Sequence, residues 1–196
     1  MLDTTDYPHF IPDKPAIEVN ETMEEKTLYH ISPNTYAEGE VVSAETFSGS
    51  TIYHQGLDGV KKDIDDFLSE NRPEGEPSRD RCIYAFDRIE YCVYFRNKEL
   101  RAGETFHLYR CKMDIQNGHP MILVGKMESV SEPDKERLRN EYWNPTKHWK
   151  LLEYMSDKME IQEEIPISAE LQTRSMMIGW CDYSEDYDRA NYFLDH

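Results

Sequence analysis

The sequence has no long hydrophobic run. Its longest uninterrupted apolar stretch is Met121–Val124, whereas a helix that crosses a membrane needs about 20 such residues. The first residues, MLDTTDYPHF, lack the cationic and apolar segments of a secretory signal peptide. We therefore expect a cytoplasmic protein without membrane interactions.

Cysteine is scarce, and its spacing is irregular. The four cysteines form no C-x-x-C pair and are too sparse for a disulfide scaffold. We expect them to be reduced thiols and expect no metal site; they are Cys82, Cys92, Cys111 and Cys181.

Several signatures of well-known sites are missing. The chain contains no G-x-G-x-x-G, no G-x-x-x-x-G-K-[ST], no H-E-x-x-H and no G-x-S-x-G. Rossmann and P-loop nucleotide sites, a zinc-protease site and a hydrolase nucleophile elbow are therefore unsupported.

Positive charge is also in short supply. The 39 acidic and 22 basic residues give a formal net charge of −17. Such a field repels nucleic acid at long range, although it permits a local basic patch.

The 196 residues suffice for one domain with a substantial core. We divide the chain into an N-terminal arm at 1–24, a domain at 25–180 and an acidic aromatic tail at 181–196.

Hydrophobic periodicity predicts the order of the elements. A first helix is expected over 56–71, with Asp58 as N-cap. A second helix is expected after Asp87, which caps it, and a third is expected from Ser131 or Asp134 to 143. A mobile loop is expected at 73–80. Strands are expected at 26–31, 41–42, 81–86, 104–115, 119–130, 151–157 and 159–171. Core positions are expected to include Ile161, Ile165, Ile167, Met176 and Met177. This mixed order predicts an α+β fold with a largely antiparallel sheet.

Three stretches stand out as carriers of chemistry, and each lies at a predicted strand end. They are Tyr29-His30-Ile31-Ser32, the segment IYAFDRIEYCVYF at 83–95, and LLEYMSD at 151–157. Together they resemble the histidine–tyrosine–glutamate branch of the ADP-ribosyltransferase superfamily, which includes diphtheria-toxin-like and poly-ADP-ribose-polymerase-like enzymes. The resemblance spans roughly residues 27–171 and implies a split antiparallel sheet with flanking helices.

The resemblance implies NAD⁺ as substrate and assigns roles to particular residues. Glu153 would stabilise the oxocarbenium-like transition state and orient the acceptor, as carboxylates do in glycosidases. His30 would hydrogen-bond the adenosine ribose. Tyr84, with Phe95 or Tyr94 opposite, would stack on the cationic nicotinamide, a contact worth about 1–2 kcal/mol when desolvated. Catalytic residues would thus be Glu153, Tyr84 and His30, and the cofactor would contact His30, Ile31, Ser32, Tyr84 and Phe95.

The sequence departs from the family pattern at two places, and its third motif leaves two glutamates as candidates. Ile31 stands where a glycine often follows the histidine, and Cys92 stands where a small hydroxyl residue is common. Backbone atoms at Ile31 can still hold the nicotinamide amide. Glu160, in MEIQEEI, is a rival to Glu153 for the catalytic carboxylate.

Residues 126–150 precede the candidate glutamate, in a region that often touches the acceptor in this superfamily. The region has net charge +1 and concentrates aromatic residues. Bases interleaved with aromatics suit unpaired nucleobases, and they suit a protein partner equally well. We expect the acceptor to contact Arg139, Tyr142, Trp143 and Trp149.

Two functions follow from these patterns. The first is a mono-ADP-ribosyltransferase that acts on nucleic acid or protein, as a toxin or defence effector, and is accompanied by an antitoxin or inhibitor protein. The second is a catalytically inactive acidic interaction protein on the same fold. A phosphotransferase acting on RNA 2′-phosphate is less favoured. Such an enzyme usually needs several arginines to bind the phosphate, and the only local group of arginines is Arg79, Arg81, Arg88 and Arg96.

Overall fold

The computed structural model of the chain describes residues 26–45, 59–99, 105–115, 117–146, 149 and 151–182. The predicted arm at 1–24, the predicted cap Asp58 and the tail beyond Asp182 lie outside these residues.

The described residues contain seven strands and five α-helices. The strands are β1 Leu28–Ser32, β2 Val41–Ser43, β3 Ile83–Phe86, β4 His107–Lys112, β5 His119–Pro120, β6 Leu152–Ser156 and β7 Lys158–Glu164. The helices are α1 Gly59–Glu70, α2 Ile89–Glu99, α3 Ile122–Met127, α4 Glu132–Trp143 and α5 Ala169–Asp182, and a short 3₁₀ turn spans Arg79–Arg81.

The strands form one sheet in the order β2-β7-β4-β1-β3-β6-β5, and every pairing between neighbours is antiparallel. The sequence prediction of an α+β fold with an antiparallel sheet is therefore confirmed at this level. β1 lies at the centre: it pairs with β4 along its whole length but with β3 at the single register Tyr29↔Phe86.

The sheet is strongly curled. Only Asp157 separates β6 from β7 in the chain, yet β3, β1 and β4 lie between them in the sheet. Four steps across a flat sheet cover about 19 Å, whereas two residues span at most about 7 Å. The two halves of the sheet must therefore bend toward each other.

The curl separates an inner face from an outer face. Inward-facing side chains of six strands form one core cluster, which includes Leu28, Tyr109, Tyr154 and Ile161. The outer face is covered by helices in two places: α1, α3 and α4 pack around Met155, and α2 and α5 pack beside Phe86 and Leu108. Since residues alternate between faces along a strand, the register decides which site residues can meet.

The long helix α1 forms as its pattern predicts. Ile64 and Leu68 are buried in the core, one turn apart, and the helix ends at Glu70, before Asn71-Arg72-Pro73. Of the two candidate caps of α4, Ser131 occupies the N-cap position, and its hydroxyl donates to the Asp134 carboxylate at 2.8 Å. Asp87 precedes α2, and its carboxylate accepts a hydrogen bond from the backbone N–H of Leu152 at 3.2 Å.

Two predicted strands were wrong in part. Within 119–130 only His119–Pro120 is a strand, and the apolar run that follows becomes helix α3. Within 159–171 the strand ends at Glu164, and α5 begins at Ala169 and continues past the predicted domain boundary at 180. A short apolar run fits a buried helix as well as a buried strand, so periodicity could not separate them.

The predicted core position of Met176 and Met177 was also wrong. They lie on α5 with exposed fractions of 72% and 45%. Ile161 is buried, as predicted, and Ile165 and Ile167 pack partly buried beside α2. In the part of the chain that the structure describes, we find no helix with the length and apolar character that a membrane crossing requires.

Gly118 packs against the ring of Tyr154, and this contact yields a stability prediction. A Cβ at Gly118 would lie 2.7 Å from Cζ of Tyr154, so Gly118→Ala should lower the free energy of unfolding by about 1–3 kcal/mol. Gly125 in α3 meets no atom within 4 Å at its Cβ position. Gly125→Ala is the control and should be neutral or stabilising by up to about 1 kcal/mol. Urea denaturation of both variants checks this. If both substitutions change the free energy of unfolding equally, the close contact between Gly118 and Tyr154 is contradicted.

Candidate active site

The three stretches predicted to carry chemistry lie on adjacent strands. β1, β3 and β6 are consecutive in the sheet, although long segments of chain separate them. The register pairs Tyr29 with Phe86 and Phe86 with Glu153. His30, Tyr84 and Glu153 therefore lie on neighbouring strands in one part of the sheet.

His30 is buried and bridges β1 to β3. Its Nδ1 lies 2.7 Å from the backbone carbonyl oxygen of Tyr84. Because a carbonyl only accepts, Nδ1 carries the proton and donates. Burial lowers the pKa of His30 to about 4, and the hydrogen bond to Tyr84 opposes this only in part. The imidazole is therefore neutral near pH 7, in the tautomer protonated at Nδ1.

Tyr84 lies on the outer face, half-buried among the helices. Its hydroxyl donates to the backbone carbonyl of Arg79 at 2.7 Å, and the Arg79 guanidinium lies 5.1 Å from the ring centroid. Burial raises the pKa of the Tyr84 phenol well above its ordinary value. The ring predicted to stack on nicotinamide thus already contacts a cation.

Glu153 is also on the outer face and is only 1% exposed. Its Oε1 accepts hydrogen bonds from Arg79 Nη1 and, at 2.5 Å, from the Tyr142 hydroxyl. Arg79 also donates through Nε to the Asp65 carboxylate at 2.5 Å. We call Asp65, Arg79, Tyr84, Tyr142 and Glu153 the arginine cluster.

Arg79 is the centre of this cluster, and its position corrects the prediction of a mobile loop at 73–80. The side chain is 0% exposed and lies on the 3₁₀ turn before β3. Burial alone would lower the pKa of Arg79, but the negative charge of Glu153 and the neighbouring groups raise it well above its ordinary value. The sequence signal was weak, because an arginine in a polar segment is usually exposed.

The predicted catalytic residues do not share one face. Tyr84 and Glu153 both contact Arg79 on the outer face. His30 pairs in register with Tyr109, which belongs to the inner core. The structure thus brings Tyr84 and Glu153 to a common centre and connects His30 to them through the Tyr84 backbone.

The remaining predicted cofactor contacts are dispersed. Ile31 packs half-buried beside α2. Ser32 is buried, and its Oγ accepts a hydrogen bond from the backbone N–H of Asn34 at 3.1 Å. The Phe95 ring lies on α2, with its centroid 6.1 Å from that of Phe86. The Cys92 thiol donates to the Tyr29 carbonyl at 3.3 Å.

The predicted acceptor region is largely helical. Tyr142 and Trp143 are buried, with their rings packed edge to face at 4.9 Å, so in this conformation they offer no surface to a nucleobase. Arg139 and Trp149 are half-buried. Arg139 contacts the Phe67 ring at 5.5 Å, and Trp149 donates from Nε1 to Glu141 at 2.9 Å.

The rival carboxylate Glu160 is exposed on β7, where it pairs in register with Lys112 of β4. It lies outside the arginine cluster. Among the described residues, no group of histidine, cysteine, aspartate and glutamate side chains is arranged to hold a metal ion. Cys82, Cys92 and Cys111 are buried free thiols.

Comparisons with known proteins assign the chain to no family. No protein-family model matches the chain, and no curated protein matches it. The geometry and the resemblance of the three stretches are therefore the only indications of function.

Removal of Arg79 should strongly destabilise the protein. Arg79→Met leaves two buried carboxylates, Asp65 and Glu153, without their cation, which should cost about 3–5 kcal/mol of unfolding free energy. Arg81 lies on the same turn but is 85% exposed, with Asp80 at 3.7 Å. Arg81→Met should change stability by less than about 0.5 kcal/mol. Chemical denaturation measures both; a loss below about 1 kcal/mol for Arg79→Met would show that the cluster is not held by charge.

His30 should make folding stability depend on pH. Its pKa is about 4 in the folded state and about 6.5 in an unfolded chain. The unfolded state therefore binds more protons between these values, and stability falls as pH drops. His30 alone should remove about 3 kcal/mol between pH 7 and pH 4. His30→Asn keeps an amide donor near Tyr84 and should lack this component. Denaturation curves at pH 7, 6, 5 and 4 test this. If the wild-type protein and His30→Asn lose equal stability as the pH falls, His30 is not the source of the pH dependence.

Proposed function

We propose that the protein is an NAD⁺-dependent mono-ADP-ribosyltransferase acting on a macromolecular acceptor in the cytoplasm. One observation carries the proposal. The three stretches that resemble the family's motifs, distant in sequence, lie on the adjacent strands β1, β3 and β6. Random occurrence of three short strings would not be expected to place them on neighbouring strands.

The arginine cluster supports the chemistry of cation stabilisation. A positive charge lies near the ring of Tyr84 and against the carboxylate of Glu153. Cleavage of the nicotinamide–ribose bond of NAD⁺ passes through a positively charged, oxocarbenium-like state. An aromatic face and a carboxylate around one position suit that charge as well as they suit a guanidinium.

The reaction requires Arg79 to leave this position. Glu153 can reach a ribose only when the guanidinium and the Tyr142 hydroxyl release its carboxylate. His30, neutral at physiological pH because of its low pKa, would hydrogen-bond the adenosine ribose without adding charge. Ile31, Ser32 and Phe95 are the further proposed contacts of NAD⁺.

The acceptor is proposed to be nucleic acid, RNA or single-stranded, or protein. Arg139 on α4 and Trp149 after it remain partly accessible and are the proposed acceptor contacts. A toxin or defence role, with a neutralising partner protein, is part of the same proposal.

A second candidate is a catalytically inactive interaction protein on the same framework. The burial of Glu153 in an ion pair with fully buried Arg79 favours it. In that case the carboxylate is structural, and the net charge of −17 serves the recognition of a partner.

Transfer of label from NAD⁺ separates the two candidates. RNA, single-stranded DNA and a protein extract are offered separately with labelled NAD⁺, and the modified material is identified by mass spectrometry. Glu153→Gln should reduce transfer by at least about a hundredfold, as expected for loss of a group that stabilises the transition state. Glu160→Gln should leave transfer unchanged.

Stability measurements keep this test interpretable, because Glu153 also has a structural role. Each variant is first shown to melt cooperatively. If transfer is lost in Glu160→Gln and kept in Glu153→Gln, Glu160 is the catalytic carboxylate. If the wild-type protein shows neither transfer nor a rise in melting temperature with NAD⁺, the non-catalytic candidate is supported.

A further inference from the structure

A second buried pair of ionisable side chains lies next to the arginine cluster. It joins His119 on β5 to Glu76, in the segment that precedes Arg79. The side chain of His119 is 1% exposed and that of Glu76 is 7% exposed. Nε2 of His119 lies 3.3 Å from Oε2 of Glu76, and Oε1 of Glu76 accepts a hydrogen bond from the Asn117 side chain at 2.8 Å. The proposed reaction uses neither member of this pair.

Both ring nitrogens of His119 face acceptors. Nδ1 lies 3.1 Å from the backbone carbonyl oxygen of Tyr142, and Nε2 faces the Glu76 carboxylate. A neutral imidazole has one N–H donor and one nitrogen lone pair, so it satisfies only one of these acceptors and its lone pair repels the other. Both contacts are complete when His119 carries a second proton, or when Glu76 carries a proton and donates it to Nε2. The complete pair therefore holds one proton more than a neutral imidazole beside a carboxylate.

The neighbouring elements leave Glu76 as the group that acts most directly on the charge of His119. From α4, the Tyr142 ring stacks on the imidazole at 5.0 Å, and burial raises the pKa of its phenol well above the ordinary value, so the phenol stays neutral. The Trp143 ring, also from α4, meets the imidazole edge-on at 4.9 Å and carries no charge. From β6, Glu153 pairs with His119 in register, but its carboxylate is already bonded within the arginine cluster.

The pair also anchors the segment that leads to Arg79. Among the described residues, the side-chain hydrogen bonds that join 72–78 to a distant part of the chain start from Glu76. Two residues separate Glu76 from Arg79, and one of them is Pro77, whose ring restricts the backbone. The position of Glu76 therefore constrains the turn that carries Arg79.

We propose that the His119–Glu76 pair is a pH-sensitive latch, which holds the turn of Arg79 against Glu153. The latch is closed while the pair keeps its additional proton. When the pH rises and this proton leaves, the imidazole lone pair faces the carboxylate, the contact is lost and the segment loosens. Arg79 bonds the Glu153 carboxylate, so the latch controls how often that carboxylate becomes accessible. It works in the same way whether or not the protein has transferase activity.

Labelling of Cys82 with iodoacetamide on the full chain tests the latch. Cys82 follows the turn, and its thiol donates to the Arg79 backbone carbonyl at 3.5 Å. Burial raises the pKa of this thiol to about 12, so it should react only when the turn opens. Cys111, buried in the inner core, is the internal control for global unfolding. Mass spectrometry measures labelling at the two thiols separately.

Glu76→Gln separates the latch from its proton. The Gln amide can donate to Nε2 of a neutral His119 while its oxygen accepts from Asn117, so the latch should stay closed at every pH. Between pH 6 and pH 9, Cys82 labelling in the wild type should therefore rise about tenfold relative to Glu76→Gln. Comparing the two proteins at each pH cancels the ionisation of the thiol itself. Glu76→Ala should label about tenfold faster than the wild type at pH 6, and Glu74→Gln, exposed on the same segment, should match the wild type.

Three results would overturn the latch. The first is the same pH dependence of Cys82 labelling in the wild type and in Glu76→Gln. The second is an unchanged rate in Glu76→Ala at pH 6. The third is a change at Cys111 equal to that at Cys82, which would show global unfolding instead of local opening. Because labelling is measured without NAD⁺, failure of the transferase proposal leaves this test intact.

Discussion

The buried guanidinium of Arg79 is the interaction on which the outer half of the structure depends. The guanidinium donates hydrogen bonds to Asp65 of α1, Glu153 of β6 and Tyr142 of α4. The backbone carbonyl of Arg79 accepts a hydrogen bond from the hydroxyl of Tyr84 on β3. Two helices and two strands are thus tied to one cation. Desolvating three charged groups costs several kcal/mol per ion, which the mutual attraction in a low-dielectric interior must offset. The net gain in stability from the cluster is therefore smaller than its number of contacts suggests.

The Arg79 guanidinium also occupies the centre of the candidate site. A cation occupies the position between Tyr84 and Glu153, and it is the chain's own Arg79 guanidinium. The transferase proposal and the non-catalytic alternative therefore differ over one physical question, which is whether a ligand can displace Arg79. The inner face is organised differently: His30 is neutral there because burial lowers its pKa.

Elements with a strong period were predictable from the sequence. Ile64 and Leu68 define the buried face of α1, and Tyr109 and Cys111 alternate into the core along β4. The segment after Pro120 was not predictable, because a four-residue apolar run fits a strand and a buried helix equally. Met176 and Met177 were assigned to the core on hydrophobicity alone, yet the face of α5 that meets α2 is set by packing between distant segments. Arg79 was assigned to a mobile loop because nothing local indicates that two carboxylates, Asp65 and Glu153, converge on it.

The sequence by itself determined the antiparallel α+β character, the strand positions of His30, Tyr84 and Glu153, and the acidic charge of the chain. These follow from local composition and periodicity, which depend on neighbours in the chain. Only the tertiary structure decided that Tyr84 and Glu153 face one cation while His30 faces the inner core, since strand register assigns side chains to faces. It also decided that Tyr142 and Trp143 are core residues. Those outcomes arise from contacts between segments that are distant in sequence.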